Sequence, residues 1–149
     1  MLECVILIGL PGAGKTSFYR ERFGQSHVHI TNDVLTRRKR ITRPPELLDQ
    51  TLASGLSAIV DNTNGTKAER ADLIKVARSQ GARVIGYFFD VSTRAAVARN
   101  ANRSGKSKLP NVAIFTVAKR LEPPSRSEGF DELFRVEIRD RMPYVSSEM

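Results

Sequence analysis

The densest chemistry in this 149-residue chain is the octet Gly9-Leu10-Pro11-Gly12-Ala13-Gly14-Lys15-Thr16, behind the apolar run Val5-Ile6-Leu7-Ile8 and ahead of a segment with helical character. A strand, a glycine-rich turn and a helix in that order make a phosphate-binding loop. Glycines let backbone N–H groups turn inward on phosphate oxygens, Lys15 reaches the β- and γ-phosphates, and Thr16 offers its hydroxyl to Mg2+. The helix starting at Lys15 adds the positive end of its dipole. Nucleoside triphosphate binding with Mg2+ is therefore expected from Gly9, Pro11, Gly12, Ala13, Gly14, Lys15, Thr16 and Ser17; ATP is the expected donor, although these residues do not choose between ATP and GTP. The alternative is a glycine-rich turn that matches the pattern without a ligand.

These residues need a scaffold, and the chain supplies one by alternating strand with helix. Strands are expected at 5–8, 27–30, 58–60, 83–89 and 133–138, and helices at 16–23, 46–56, 66–80, 92–102 and 111–121. Pro44-Pro45 breaks the basic segment before the second helix, Thr66 with Glu69 forms a capping box, and Gly81 stops that helix. The unbroken apolar run at 83–89 reads as a strand buried on both faces, and Gly105-Lys106-Ser107-Lys108 as a mobile loop. Such repeats predict an α/β fold, a parallel sheet of four to five strands flanked by helices, with ligands at the carboxyl ends of the strands. The domain that carries the phosphate loop is expected to span 1–140, with a polar, loose tail at 141–149.

Asp33 and Asp61 both follow short apolar strands, so they share the strand-end rim with the phosphate loop. A lone aspartate there also serves as a helix or turn cap. Taken together the three suit phosphoryl transfer, in which the protein positions groups and neutralises charge. Asp61 has the placement of the acid that holds Mg2+ near Thr16, leaving Asp33 to take a proton from the acceptor hydroxyl as general base. Arg99 and Arg103, four residues apart, fall on one helix face and can close over the transferring phosphates as a lid, or can line a solvated face. The catalytic set is then Lys15, Asp33, Asp61 and Arg103.

Length and composition bound the rest. The chain has the size of one domain, with no second catalytic module expected. Its formal net charge of +8 favours polyanionic partners. Arg37-Arg38-Lys39-Arg40, with Arg43 beyond, reads equally as a nucleic-acid contact or as a solvated, localisation-like patch. The apolar start at 1–10 is too short for a membrane span and runs into the phosphate loop as a buried strand. The single cysteine, Cys4, has no partner, so a reducing, cytoplasmic setting and a packing role are expected. His27 and His29 read as packing or rim residues, and a monomer is the simplest assembly.

The chain resembles the kinase module of the polynucleotide 5′-hydroxyl kinases, including the module fused to a phosphatase in eukaryotic polynucleotide kinase/phosphatase. The resemblance covers nearly the whole chain. It rests on the loop at 9–16, on Asp33, on Val60-Asp61-Asn62-Thr63-Asn64-Gly65, and on Arg99-Asn100 with Arg103. Lys108-Leu109-Pro110, Arg120-Leu121-Glu122-Pro123-Pro124 and Glu128-Gly129-Phe130 extend it. It implies that Asp33 is the general base, that Asp61 belongs to the metal network, that Arg99 and Arg103 hold donor phosphates, and that Asn62 touches the acceptor. The acceptor it implies is a DNA or RNA 5′-hydroxyl end. This chain has Thr31-Asn32-Asp33 where the family commonly has Asn-Arg-Asp, and Arg37 is the nearest candidate for an acceptor-phosphate arginine. The Asp-x-Asp-x-Thr signature of the phosphatase is absent from the sequence.

Three readings stand at this point: a polynucleotide 5′-hydroxyl kinase, a kinase of a small acceptor such as a nucleoside, sugar or antibiotic, and a nucleotide-binding regulator with little transfer activity.

Overall fold

A computed structural model describes residues 1–31, 43–103, 105, 108–137 and 145–149. At its centre lies β1 (Glu3–Ile8), whose residues from Cys4 to Ile8 are wholly shielded from solvent. Such a strand has to be covered on both faces, which is why its sequence is continuously apolar rather than alternating. It is flanked by β3 (Ala58–Asp61) on one side and β4 (Arg83–Phe89) on the other, with β2 (Val28–Ile30) outside β3. Beyond β4 come β5 (Glu132–Glu137) and β6 (Val145–Glu148), giving the order β2-β3-β1-β4-β5-β6. All pairings are parallel except β5 with β6.

Strand parity sorts the core into two layers. Val5, Leu7, Ile59, Ile85 and Phe89 point to one face, where Ala13 and Phe18 cover them. Cys4, Ile6, Ile8, Val60, Val84 and Phe88 point to the other, under Leu48, Leu52, Leu73, Ile74 and Ala77. Phe18 belongs to α1 (Lys15–Arg22), Leu48 and Leu52 to α2 (Pro44–Ala53), and the last three to α3 (Lys67–Ser79). Among the described residues the remaining α-helices are α4 (Thr93–Ala101) and α5 (Asn111–Arg120), and a small cluster of Leu10, Ala96 and Ile114 ties them to the phosphate loop. Burial pushes the Cys4 thiol up to about 12, so it is an inert packing group.

Local signals placed most elements. Thr66 caps α3 by accepting the Glu69 N–H at 3.2 Å, and its own hydroxyl donates to the Glu69 carboxylate at 3.1 Å. Ser92 caps α4 through the Ala95 N–H. Three expectations change. Pro44-Pro45 does not merely break the preceding segment: it opens α2, occupying the first positions where a missing N–H costs nothing, and the helix ends at Ala53 with Leu56 outside. The expected fifth and last strand is followed by another, so the sheet has six strands among the described residues. The expected loose tail contributes that strand, β6, registered Phe134↔Glu148 and Glu137↔Val145, and Met149 packs on the core. Its polar Ser146-Ser147-Glu148 sequence hides a strand that is held by backbone bonds at the sheet edge. Among the described residues no helix is long and apolar enough to cross a membrane.

Candidate active site

Parallel pairing puts Leu7 opposite Asp61, so the loop that begins at Gly9 opens beside the end of β3. The loop's turn depends on glycine at two places. Gly14 sits at φ 95° as the residue preceding α1, and Gly12 sits at φ 84° so close to α4 that a Cβ there would meet the Ala96 carbonyl oxygen at 2.8 Å. Lys15 is buried, and its Nζ donates to the carbonyls of Gly9 at 2.5 Å and Leu10 at 2.9 Å. Burial lowers its ammonium to about 8, with Asp61 pulling it back up and the charge of Arg103 pushing it down. Pro11 is half-buried beside buried Ala13, and Ser17 is exposed on α1.

The Thr16 hydroxyl donates to Asp61 Oδ2 at 2.8 Å. A hydroxyl and a carboxylate this close are hard oxygen donors of the kind Mg2+ takes when phosphates and water fill the remaining positions. The expected loop and aspartate are thus brought together. Sequence reading gave His29 no role, yet its Nε2 lies 2.8 Å from the same Asp61 oxygen, and its ring stacks on Tyr19 at 3.9 Å and 9°. His29 pairs with Ile59 in the β2–β3 register, so Asp61 is its diagonal neighbour on the face toward α1. Alternation of His27 and His29 about Val28 marks a strand in the sequence, but only the β2–β3 register puts His29 on the same face as Asp61.

Arg99 lies in the last turn of α4, and its Nε donates to the Gly12 carbonyl at 2.9 Å, placing a guanidinium on the phosphate loop. Arg103 falls past the end of α4, in a turn where its N–H donates to the Asn100 carbonyl at 3.0 Å. The two arginines therefore share the site without sharing a helix face, which corrects the expectation that both project from one helix. Asn100 is buried; its side chain donates to the Leu109 carbonyl at 2.5 Å and accepts the Leu109 N–H at 2.9 Å, drawing α4 to the start of α5.

The segment after Asp61 is built with equal care. Asn64 adopts φ 46° and donates through Nδ2 to the Leu7 carbonyl at 2.7 Å, while Gly9 N–H donates to the Thr63 carbonyl at 3.0 Å. These bonds tie the loop following β3 to the loop following β1. Arg70 backs them from beneath: it is fully buried, donates to the Asn64 carbonyl at 2.9 Å, and forks onto Glu128 at 2.8 and 3.2 Å. In the sequence Asn64, Asn100 and Glu128 stand only within longer motifs, and no local pattern marks Arg70.

Half-buried Asn62 lines a cavity of about 380 Å3 with Thr63, Asn64, Gly65, Thr66 and the first residues of α2. Leu73 and Val117 supply apolar wall, and Arg43, Arg120, Glu69 and Asp72 supply charge. Arg43 faces Asp72 at 3.8 Å, and Arg120 faces Glu69 at 3.8 Å. The expected base Asp33, the candidate Arg37 with the basic run around it, and Lys106 lie outside the described residues.

A mostly parallel sheet with a phosphate loop after its central strand and an acid at the neighbouring strand's end is the fold of P-loop nucleotide-binding proteins. Residues 4–124 match an AAA domain family, and the chain belongs to that family. Solved structures agree on the fold. The chain is similar to a gluconokinase from Sinorhizobium meliloti 1021 at 19% identity and TM-score 0.65, covering 93% of this chain and 83% of that one. A fungal RNA kinase matches at 18% identity and TM-score 0.67, over 91% and 76%. Kti12 of Chaetomium thermophilum in complex with ADP-AlF3 matches at 18% identity and TM-score 0.64, over 92% and 90%.

Proposed function

We propose that the chain is an ATP- and Mg2+-dependent kinase that transfers the γ-phosphate to the 5′-hydroxyl of a DNA or RNA end. The observation that carries this reading is the continuity of Asp61 with the Asn62–Thr66 segment: one stretch of chain pairs with Thr16 of the phosphate loop and lines the neighbouring cavity. A donor site and an acceptor site would thereby share a wall. The resemblance of Asp61-Asn62-Thr63-Asn64 and Arg99-Asn100 to the polynucleotide kinases, the net charge of +8, and an RNA kinase of the same fold support the acceptor class.

In this reading Lys15 leaves its two carbonyl partners for the β- and γ-phosphates, and the loop's N–H groups hold the remaining oxygens. Thr16 and Asp61 would hold Mg2+, which would supply charge neutralisation at the polyphosphate. Asp33, three residues beyond β2, accepts the hydroxyl proton as the acceptor oxygen bonds to the γ-phosphorus and the bond to the β-phosphate oxygen breaks, releasing ADP. Arg99 and Arg103 stabilise the charge spread over the moving phosphoryl. Basic residues around Arg37 and Arg43 engage acceptor phosphates, and Asn62 faces the acceptor.

A small-molecule acceptor is the second reading, favoured by the cavity's volume of about 380 Å3 and partly apolar wall, and by a gluconokinase of the same fold. Transfer of γ-labelled phosphate with Mg2+ to 5′-hydroxyl DNA and RNA oligonucleotides, beside 5′-phosphorylated controls and Asp33→Ala, separates the readings. Label on hydroxyl ends alone, reduced about 10²-fold or more in the variant, is the expected result. Failure to label any oligonucleotide while ATP binds would overturn the polynucleotide assignment, and a screen of sugars and nucleosides would then decide between a small acceptor and a regulator.

A further inference from the structure

We propose that His29 is a positioning residue that fixes the Asp61 carboxylate in the orientation that takes Mg2+, an inference that rests on the reading of Asp61 as a metal-site residue. Asp61 is buried, its side chain 4% exposed, and such a carboxylate needs donors to replace lost water. It has two on a single oxygen: the Thr16 hydroxyl and His29 Nε2, each 2.8 Å from Oδ2. An ionised carboxylate only accepts, so in this pair Nε2 is the nitrogen that carries the hydrogen. The two donors reach Oδ2 from different elements, α1 and β2, and so limit rotation of the carboxylate about its last bond.

His29 is itself held on two sides. Tyr19 lies parallel to its ring at 3.9 Å, and the β2–β3 pairing Val28↔Ala58, His29↔Ile59, Ile30↔Val60 fixes its backbone relative to Asp61. Tyr19 sits three residues after Thr16 on α1, so the same helix carries the hydroxyl that meets Asp61 and the ring that steadies the histidine. An imidazole with this much support around a hydrogen bond to a buried acid is the arrangement by which outer residues orient a metal's ligands. Removing it leaves the loop and the carboxylate in place but frees the carboxylate to turn.

Isothermal titration of ATP into the full chain, in EDTA and across a Mg2+ series, tests this without relying on turnover. Wild type should bind ATP more tightly as Mg2+ rises. His29→Ala should require about 10- to 100-fold more Mg2+ for the same tightening, while its ATP affinity in EDTA stays within twofold of wild type. His29→Gln, whose amide N–H reaches about as far as Nε2, should recover most of the shift, and His29→Asn, which falls short, should not. Thermal melts accompany each variant, and if His29→Ala is unfolded at the assay temperature, His29→Asn carries the comparison. Unchanged Mg2+ dependence in His29→Ala while Asp61→Asn loses it would overturn the role of His29 and leave Asp61 standing. Equal loss in EDTA and in Mg2+ would show a general structural role and overturn it as well. A wild type whose ATP affinity ignores Mg2+, or an Asp61→Asn variant that matches wild type, would remove the metal-site reading itself and this inference with it.

Discussion

The two sides of the Asp61 segment are made differently. Toward the phosphate loop, the groups are buried or half-buried and held by short bonds to backbone or to one another: Lys15 on Gly9 and Leu10, Thr16 and His29 on Asp61, Arg99 on Gly12. Toward the cavity, the charged groups stand at the rim, and their ion pairs are long: Arg43 with Asp72 and Arg120 with Glu69, each at 3.8 Å between mostly exposed side chains. Short bonds in a buried setting fix geometry in advance, whereas exposed pairs at that distance contribute little and are easily exchanged for a ligand's charges. A rigid side and an adjustable side suit a fixed polyphosphate donor and a variable acceptor.

Breaking the support common to both sides should have the largest effect. Glu128→Ala leaves the fully buried Arg70 guanidinium without its carboxylate and loosens the Asn64 turn that both sides share. A loss of about 3–5 kcal/mol in denaturant unfolding is expected. On the rigid side, Lys15→Met should lower phosphoryl transfer by about 10²- to 10³-fold with little change in melting temperature, as measured with the labelled oligonucleotides.

Proton linkage gives a third test of the rigid side. Because burial lowers Lys15 to about 8 and bound phosphates favour its ammonium form, ATP binding should take up a proton above about pH 8, and affinity should fall about tenfold per pH unit there. Below pH 8 the ammonium is already present and affinity should be flat with respect to this group. Calorimetry in buffers of different ionisation enthalpy reads the proton uptake. In the nucleotide-free chain the sign is opposite for stability: burying a charged Lys15 costs most below pH 8, and the cost recedes as pH climbs from about 8 toward 10.5. The smallest stability effect belongs to the adjustable side, where Arg120→Ala should change stability by no more than about 0.5 kcal/mol, yet raise the acceptor KM and weaken its salt dependence. A large loss of stability at Arg120 would erase the contrast between the sides.

What could be read along the chain was whatever short-range chemistry enforces. The phosphate loop, the buried β1 and β4 runs, the Thr66 cap and the rim position of Asp61 all follow from residues within a few positions of one another, where propensity and hydrogen-bond geometry act locally. Prolines were legible as a boundary but not as the opening turn of α2, since the same residue ends one segment and begins the next. The polar β6 carried no apolar alternation, because at a sheet edge its backbone rather than its side chains provides the pairing.

The amino-acid sequence by itself determined the phosphate loop, the layered α/β fold and the aspartate at the strand-end rim, because each is written in contiguous residues. Tertiary structure alone decided that His29 meets Asp61 across 32 residues and that Arg70 meets Glu128 across 58. It alone decided, too, that Asn64 ties two strand ends together and that a cavity opens beside them. Those meetings depend on strand order, register and helix packing, which bring distant side chains to one place only after loop-closure entropy has been overcome by the burial of the core.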